Sequence, residues 1–466
     1  MSRKQRSKRQ AAPSATYGAQ AGLSFLEPRF SRVVHELVRL ASPLYLRFGE
    51  GVAGVELEGE ETLRAEFSRF FAGDSRLIVA FRHPSVSDAP LLSYLFAHLL
   101  PRRARRGGRP FGRPSHVHFL YGRGVPVWAG RPVGWILPRV AAIPVYHRRL
   151  DSRGMSAVRE AAVNGRFPLA LAPEGQVTYH NKAIGPLEAG TGRIALWCAD
   201  DLRAAGRQED VRVLPLSLEY RYPRNAAGRI DHVLSWIREK TGLSGAGDYG
   251  GLLELTGKLL SRIEELYETA FPSHAGQAPG ATDPGATDPG ALTEHIRRLC
   301  DTALRAGERT HGLSPRGMLL DRVFRLRDAG WRRIFRDGIE SFTALERSVA
   351  DAAAEQARIA ARHMELVDVL EYLDPDYIGP DSPAERLLEY ALNLQDIVNR
   401  VLGGTIAGRM QIPGRTAVVS AGRAVSVSEL TGGSRRGRSR DAASRITAYV
   451  REEFTRLMGP ATRDTT

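Results

Sequence analysis

The chain has 466 residues, of which 42% are hydrophobic and 25% are charged, as in ordinary soluble globular proteins. This length predicts about two to four domains and allows a substantial buried core. The formal net charge of +14 favours acidic partners, namely nucleic acid, an anionic membrane surface or phosphorylated substrates. Cys198 and Cys300 are the only cysteines, which excludes a disulfide framework and a four-cysteine zinc site and favours a reducing compartment.

The N-terminal segment 1–23 is basic and is predicted to be disordered. No long apolar core follows its basic residues, so it is not typical of a signal peptide. No apolar run in the sequence approaches the ~20 residues needed to cross a bilayer. We therefore expect a cytoplasmic protein that is soluble or peripheral to the inner face of the membrane.

An amphipathic helix is predicted between Ser24 and Phe48, where apolar residues recur at helical spacing with arginines between them. Such a helix either packs on its own domain or, because it is both apolar and basic, lies on a membrane surface. The sequence leaves both interpretations open.

The region 51–223 alternates short apolar runs with helical patterns. Strands are predicted at 52–57, 77–81, 117–121, 143–146, 167–172 and 211–220. Helices are predicted at 60–72, 89–100, 151–164 and 190–204. This alternation indicates an α/β fold with a mixed central sheet flanked by helices, in which active sites lie where strands end and helices begin.

A histidine and an aspartate follow the second predicted strand, at His83 and Asp88. The strand would deliver His83 to the edge of the sheet, and the next helix would carry Asp88 in its first turn. A carboxylate in that position holds an imidazole in one tautomer, so that the ring can remove a proton from a hydroxyl group. The simpler interpretation is that Asp88 is only the N-cap of the helix.

A second strand end carries Glu174 and Gly175, which place a carboxylate beside a backbone that a ligand can approach closely. Downstream, Gly190–Leu196 begins another helix, whose N-terminus can face an anion.

The second half of the chain is predicted to be organised differently. A tandem Gly-Ala-Thr-Asp-Pro repeat marks 272–290 as a flexible linker. It separates a domain at 24–271 from a mostly helical accessory domain at 291–466, in which the sequence shows no recognisable chemistry.

Four blocks in this order resemble the motifs of the glycerolipid acyltransferase superfamily, which contains bacterial lysophosphatidate and glycerol-3-phosphate acyltransferases. The blocks are His83–Asp88, Gly134–Arg149, Pro173–Gly175 and Val213–Leu216, and the resemblance covers roughly 50–225. It implies that the domain at 24–271 is an acyltransferase domain.

In this family the histidine, here His83, takes the proton of a glycerol hydroxyl, and Asp88 orients it. The oxygen then attacks an acyl thioester on coenzyme A or acyl carrier protein, which is a substrate, so no bound cofactor or metal is expected. The resemblance further implies that Arg148, Arg149, Glu174 and Gly175 bind a glycerolipid-type acceptor through its phosphate, to which guanidinium groups are well suited.

The chain departs from the family pattern at the phosphate-binding blocks. The usual Thr-Arg-Ser after Glu-Gly is replaced by Gln176–Thr178, and Arg82 stands where asparagine is common. Lys182 or Arg193 can replace the missing phosphate contact. The head group of the acceptor therefore stays open.

Six arginines lie between Arg102 and Arg113. A charge run of this kind is a solvated face or a contact to an anionic membrane surface. Nucleic acid is disfavoured as a partner because no aromatic platform or zinc-finger spacing accompanies the arginines. The alternative to an enzyme is a catalytically inactive, basic membrane-associated scaffold of the same fold.

Overall fold

The computed structural model describes residues 18–107, 114–146, 151–271, 287–432, 440–459 and 463–464. These residues form twelve strands: β1 (Gln20–Ala21), β2 (Val52–Glu58), β3 (Ser75–Phe81), β4 (His118–Gly122), β5 (Ile143–Val145), β6 (Leu169–Leu171), β7 (Ala183–Ile184), β8 (Asp210–Arg221), β9 (Phe335–Arg336), β10 (Arg415–Ala421), β11 (Val425–Ser426) and β12 (Arg463–Asp464).

The described residues also form sixteen α-helices. The helices are α1 (Arg32–Leu44), α2 (Glu60–Ala72), α3 (Asp88–Tyr94), α4 (Leu100–Arg106), α5 (Val125–Ala129), α6 (Arg131–Arg139), α7 (Ser152–Asn164), α8 (Gly190–Ala204), α9 (Ala226–Thr241), α10 (Tyr249–Ala270), α11 (Pro289–His311), α12 (Leu319–Ile334), α13 (Ala344–Leu370), α14 (Ala384–Val401), α15 (Val427–Thr431) and α16 (Arg440–Met458). Tyr45–Gly49 and Leu95–Leu99 are π-helical, and Ile339–Ser341, Pro375–Tyr377 and Ile406–Gly408 are 3₁₀ turns.

The central sheet has the strand order β2-β10-β8-β3-β6-β4-β5, and β11 pairs with the start of β8. The strands β8, β3, β6, β4 and β5 are parallel to one another. β10 is antiparallel to β8 and parallel to β2, so the sheet is mixed, as predicted. Because β6 and β8 are parallel to β3, the C-terminal ends of these three strands lie at the same edge of the sheet.

Alternate residues of β3 enter two separate hydrophobic cores, because successive side chains of a strand point to opposite faces of the sheet. Leu77, Val79 and Phe81 pack in the core that contains residues of α2 and α3. Ile78 and Ala80 pack in the core that contains residues of α7, α8 and α16. Helices on both faces explain why β3 is an almost continuous apolar run.

The chain divides into two compact units. The larger comprises Phe25–Ser261, Thr282–His295 and Glu371–Thr466 and contains the central sheet.

The smaller unit comprises Met1–Ser24, Arg262–Ala281 and Ile296–Leu370. In it α12 packs on α13, and β1 pairs with β9 in a short parallel ladder.

This division differs from the boundary that the sequence predicts. The region 291–466 is helical in large part, but it is not a separate helical domain, because β10 lies inside the central sheet between β2 and β8. The helix α16 also packs on α8. Of the predicted linker 272–290, residues 272–286 lie outside the described residues, and α11 begins at Pro289.

Residues 1–17 of the predicted disordered segment likewise lie outside the described residues, and Gln20–Ala21 form β1. In the part of the chain that the structure describes, no helix is both long and apolar enough to cross a membrane.

Candidate active site

His83 and Asp88 come together at the end of β3. Asp88 is the first residue of α3, and its Oδ2 lies 2.8 Å from His83 Nδ1. The aspartate is fully buried, whereas the histidine side chain is 22% exposed. With Nδ1 donating to the carboxylate, Nε2 is the ring atom that can accept a proton from an incoming group. The sequence-predicted pair is thus a hydrogen-bonded pair.

Asp88 accepts two further hydrogen bonds. The Ser85 backbone N–H, which precedes α3, donates to Oδ2 at 2.9 Å, and the Tyr220 hydroxyl donates to Oδ1 at 2.5 Å. Burial, reinforced by the negative charge of Asp88, raises the pKa of Tyr220 well above its ordinary value, so the phenol stays protonated. Tyr220 lies on β8, the strand beside β3, and no sequence motif marks it.

Glu174 holds the backbone of His83. It follows β6, the other neighbour of β3, and its Oε2 accepts a hydrogen bond of 2.6 Å from the His83 N–H. Its Oε1 accepts a longer bond of 3.4 Å from the Gly185 N–H. Burial raises the pKa of this carboxyl, and the nearby Arg82 charge opposes that shift. The contacts of Glu174, which the resemblance assigns to acceptor binding, are here contacts to backbone.

The loop after β6 also reaches His83 from its other side. The Thr178 N–H donates to the His83 carbonyl at 2.9 Å. Gly175 turns this loop with a φ of +74°, in the left-handed region that favours glycine. Its N–H donates to the Ala172 carbonyl at 3.1 Å and closes the turn. The Glu-Gly block therefore shapes the support for the histidine.

Arg82, which departs from the family pattern, is a fully buried structural residue. Its Nη1 donates to the carbonyls of Asn181 at 2.7 Å and Leu218 at 3.4 Å. Its Nη2 donates to the carbonyls of Ala183 at 2.6 Å and His180 at 3.0 Å. The guanidinium thus ties segment 180–183 to β8, next in the chain to the candidate base His83.

Of the remaining predicted phosphate ligands, the structure describes Lys182 and Arg193. Arg148 and Arg149 lie outside the described residues, after β5. Lys182 makes an ion pair of 2.6 Å with Glu219. Arg193 is exposed on the first turn of α8.

A small depression opens beside the loop that follows His83. One wall is the loop Pro84–Val86, which directly follows the histidine. Other lining residues come from the C-terminal region. The lining residues are Pro84, Ser85, Val86, Tyr179, Asn181, Tyr220, Tyr222, Glu389, Leu392, Arg409, Met410, Gln411, Ile412 and Arg415. No motif in the sequence after residue 291 marks the residues that line this depression.

Two arginines line the depression, and both are held by protein contacts. Arg409 lies over the Tyr179 ring, 4.4 Å from its centroid, and donates to Asn393 Oδ1 at 2.7 Å. Arg415 lies over the Tyr220 ring at 5.0 Å and donates to the Glu50 carbonyl at 2.7 Å. Arg409 also pairs with the buried carboxylate of Asp396 at 3.6 Å, and Arg415 also donates to Gln411 Oε1 at 2.9 Å.

Glu389 on α14 contributes a buried carboxyl to the same depression. It accepts hydrogen bonds from the Tyr377 hydroxyl and from Asn181 Nδ2. Burial raises its pKa to about 7, against the lowering effect of these donors. Asn181 also bonds both backbone groups of Tyr220, at 2.8 and 2.9 Å, and so links this carboxyl to the phenol that holds Asp88.

The arrangement provides a histidine base with a buried carboxylate partner, at the edge of a polar depression that contains two arginines. Such a set can activate a hydroxyl group of a bound molecule. Within the described ranges, no three histidine, cysteine, aspartate or glutamate residues lie together in a way that suits a metal ion.

Comparison of the chain with family models, with curated proteins and with solved structures found no match.

Proposed function

We propose that the protein transfers a fatty acyl group from an acyl thioester to a hydroxyl of a glycerol-phosphate or lysophospholipid-type acceptor. The observation that carries this proposal is the hydrogen bond of 2.8 Å between His83 Nδ1 and the buried carboxylate of Asp88. The resemblance of the four sequence blocks supplies the reaction type. The donor is acyl-coenzyme A or acyl-acyl carrier protein, which leaves after each turnover.

In this mechanism His83 Nε2 removes the proton of the acceptor hydroxyl as its oxygen attacks the thioester carbonyl. The new C–O bond forms, and the tetrahedral intermediate collapses with cleavage of the C–S bond. The imidazolium of His83 then returns its proton to the departing thiolate. Asp88 stabilises the imidazolium and keeps its tautomer fixed. The acceptor is itself the nucleophile, so no acyl-enzyme forms.

We propose that the acceptor head group occupies the depression beside His83. Arg409 and Arg415 line that depression, and their guanidinium groups suit a phosphate. They would take the place of the Thr-Arg-Ser block that the sequence lacks. The head group would then be bound largely by the C-terminal region.

The test uses purified protein with radiolabelled acyl-coenzyme A or acyl-acyl carrier protein and a panel of glycerol phosphates and lysophospholipids. Because general-base catalysis contributes about 10²–10⁴-fold, His83→Ala should lower the transfer rate by that factor. His232→Ala is the matched control, since His232 is an exposed histidine on α9. If the wild-type protein transfers no more label than His83→Ala on every acceptor, the inactive scaffold is favoured instead.

A further inference from the structure

The helix α1 has two apolar faces, although a helix on the surface of a domain needs only one. On one side, Val34 and the following Leu46 are buried in the core. The other side carries a stripe of side chains that are 59–77% exposed. The stripe consists of Val33, Leu37, Leu40, Leu44 and Phe48. Intervals of three and four residues place these side chains on one line along the helix and its π-helical end.

The neighbouring helices α5 and α6 add exposed aromatic surface. Val127, Trp128 and Trp135 are 43–52% exposed. The end of α6 is tied to the segment before α1, because Ser31 N–H donates to the Arg139 carbonyl at 2.8 Å. We call the α1 stripe and these three side chains together the α1–α6 surface. Tryptophan is typical of side chains that lie at the boundary between lipid and water.

The charge around the α1–α6 surface is positive. The exposed arginines Arg29, Arg32, Arg47 and Arg131 flank its apolar residues. Glu36 is the only acidic residue between positions 29 and 49, and it pairs with Arg39 at 2.7 Å. Segment 125–139 contains no acidic residue. An apolar stripe with a cationic border complements an anionic lipid surface.

We infer that the α1–α6 surface docks on a bilayer that contains anionic lipids, with the stripe inserted at the boundary of head groups and acyl chains. Packing within the domain accounts for the Val34 side of α1 but leaves the stripe unexplained. A bilayer suits both the aliphatic stripe and the cationic border, and each arginine near an anionic leaflet strengthens binding about fivefold. The inference concerns lipid binding alone and does not depend on the proposed acyl transfer.

The test is flotation of the full-length protein with vesicles of phosphatidylcholine alone or of phosphatidylcholine mixed with phosphatidylglycerol, without any thioester. We expect flotation with the mixed vesicles, weakening as salt is added. The triple variant Leu37→Gln, Leu40→Gln, Leu44→Gln should lower the bound fraction at least tenfold. The double variant Arg32→Gln, Arg47→Gln should lower the bound fraction mainly at low salt.

The matched control is Leu345→Gln, Val349→Gln, Ile359→Gln, which changes three exposed apolar residues of α13 and should leave flotation unchanged. Circular dichroism checks that each variant is folded, which is expected because the replaced side chains are exposed. Equal flotation of the wild type and the α1 triple variant would overturn the inference. The inference would also be overturned if the wild-type protein were dimeric, the α1 triple variant were monomeric and neither protein floated with vesicles. The stripe would then be a self-association face.

Discussion

His83 is positioned by its backbone as well as by its ring. Its N–H donates to Glu174, and its carbonyl accepts from Thr178, so the loop after β6 holds this backbone at both its N–H and its carbonyl. Its ring is held by Asp88, which is in turn held by Tyr220. An orientation determined by several hydrogen bonds is maintained without tight packing around the exposed edge of the imidazole.

Glu174→Gln tests the backbone support. An amide offers one acceptor oxygen where the carboxylate offers two, so it cannot satisfy both the His83 and the Gly185 N–H groups. We expect the free energy of unfolding to fall by about 1–3 kcal/mol and acyl transfer to fall with it. Urea denaturation and the transfer assay measure the two effects. Glu268→Gln, at an exposed position of α10, should change neither; an unaltered Glu174→Gln protein would contradict this role.

Tyr220→Phe tests the support of Asp88. Removal of the hydroxyl leaves the buried Oδ1 without its donor, which should cost about 1–3 kcal/mol of stability. We also expect kcat of the proposed transfer to fall about tenfold, as for an effect of roughly 1.4 kcal/mol, with little change in KM. Tyr390→Phe is the control, because Tyr390 is buried and bonded to Thr256 elsewhere. A kcat loss in both variants would indicate a merely structural effect.

At the scale of elements, α1 rests on a layer of buried histidines. His35 on α1 and His116 before β4 have ring centroids 5.2 Å apart, and Nε2 of each donates to a backbone carbonyl. Burial lowers the pKa of His116 to about 3 and also lowers that of His35. The folded protein therefore keeps these rings neutral at a pH where the unfolded chain protonates them.

This difference makes stability depend on pH. In the unfolded chain, His116 becomes protonated as the pH falls below the ordinary histidine pKa of about 6.5. In the folded protein, His116 stays neutral until about pH 3. The stabilising contribution of neutral His116 is thus complete above pH 6.5 and is lost as the pH falls, by about 2 kcal/mol at pH 5. His116→Gln should reduce the loss of unfolding free energy between pH 7 and 5, measured in urea. The exposed His232→Gln should leave that loss unchanged, and an equal slope in all three proteins would contradict the assignment.

At the scale of the whole molecule, the C-terminal region completes the central sheet. β10 pairs along its length with both β2 and β8, and its Ala417 and Val419 are fully buried. Without β10, β2 has no hydrogen-bonding neighbour in the sheet, and one long edge of β8 is open. An exposed apolar edge of this kind favours aggregation.

A fragment of residues 24–271, the predicted acyltransferase domain, should therefore not fold by itself. We expect it to be insoluble or to unfold without a cooperative transition, whereas the full chain unfolds cooperatively. Thermal denaturation followed by circular dichroism provides the comparison. A soluble fragment with the same Tm as the full chain would show that β10 is dispensable.

In the full chain, Val419→Pro should likewise make the protein insoluble or abolish its cooperative unfolding transition, because proline removes a ladder hydrogen bond from a strand paired on both sides.

The sequence predicted the parts that depend on local pattern. The six strands predicted between 52 and 220 correspond to β2, β3, β4, β5, β6 and β8, and the four predicted helices correspond to α2, α3, α7 and α8. The short helices α4, α5 and α6 and the two-residue strand β7 were not predicted. His83 and Asp88 are five positions apart, so their meeting requires only one turn of chain. Local spacing was sufficient for this pair.

The parts that depend on distant pairing were not predicted. β10 is a short apolar run among helices, and its periodicity cannot distinguish a buried strand from part of a helix. The Tyr220 side chain reaches Asp88 only because β8 pairs with β3, and the tertiary fold places Arg409 in the same depression as the loop Pro84–Val86. No spacing in the sequence encodes these contacts.

The position of β10 has a consequence for the order in which the protein assembles. During synthesis from the N-terminus, β2, β3, β6 and β8 leave the ribosome long before Arg415–Ala421. The nascent chain must keep a gap between β2 and β8 until β10 has been made, and closure over so long a stretch of chain is slow. The arginines of the depression arrive with the same part of the chain. A truncated translation product consequently contains His83 and Asp88 but lacks the arginines that line the neighbouring depression.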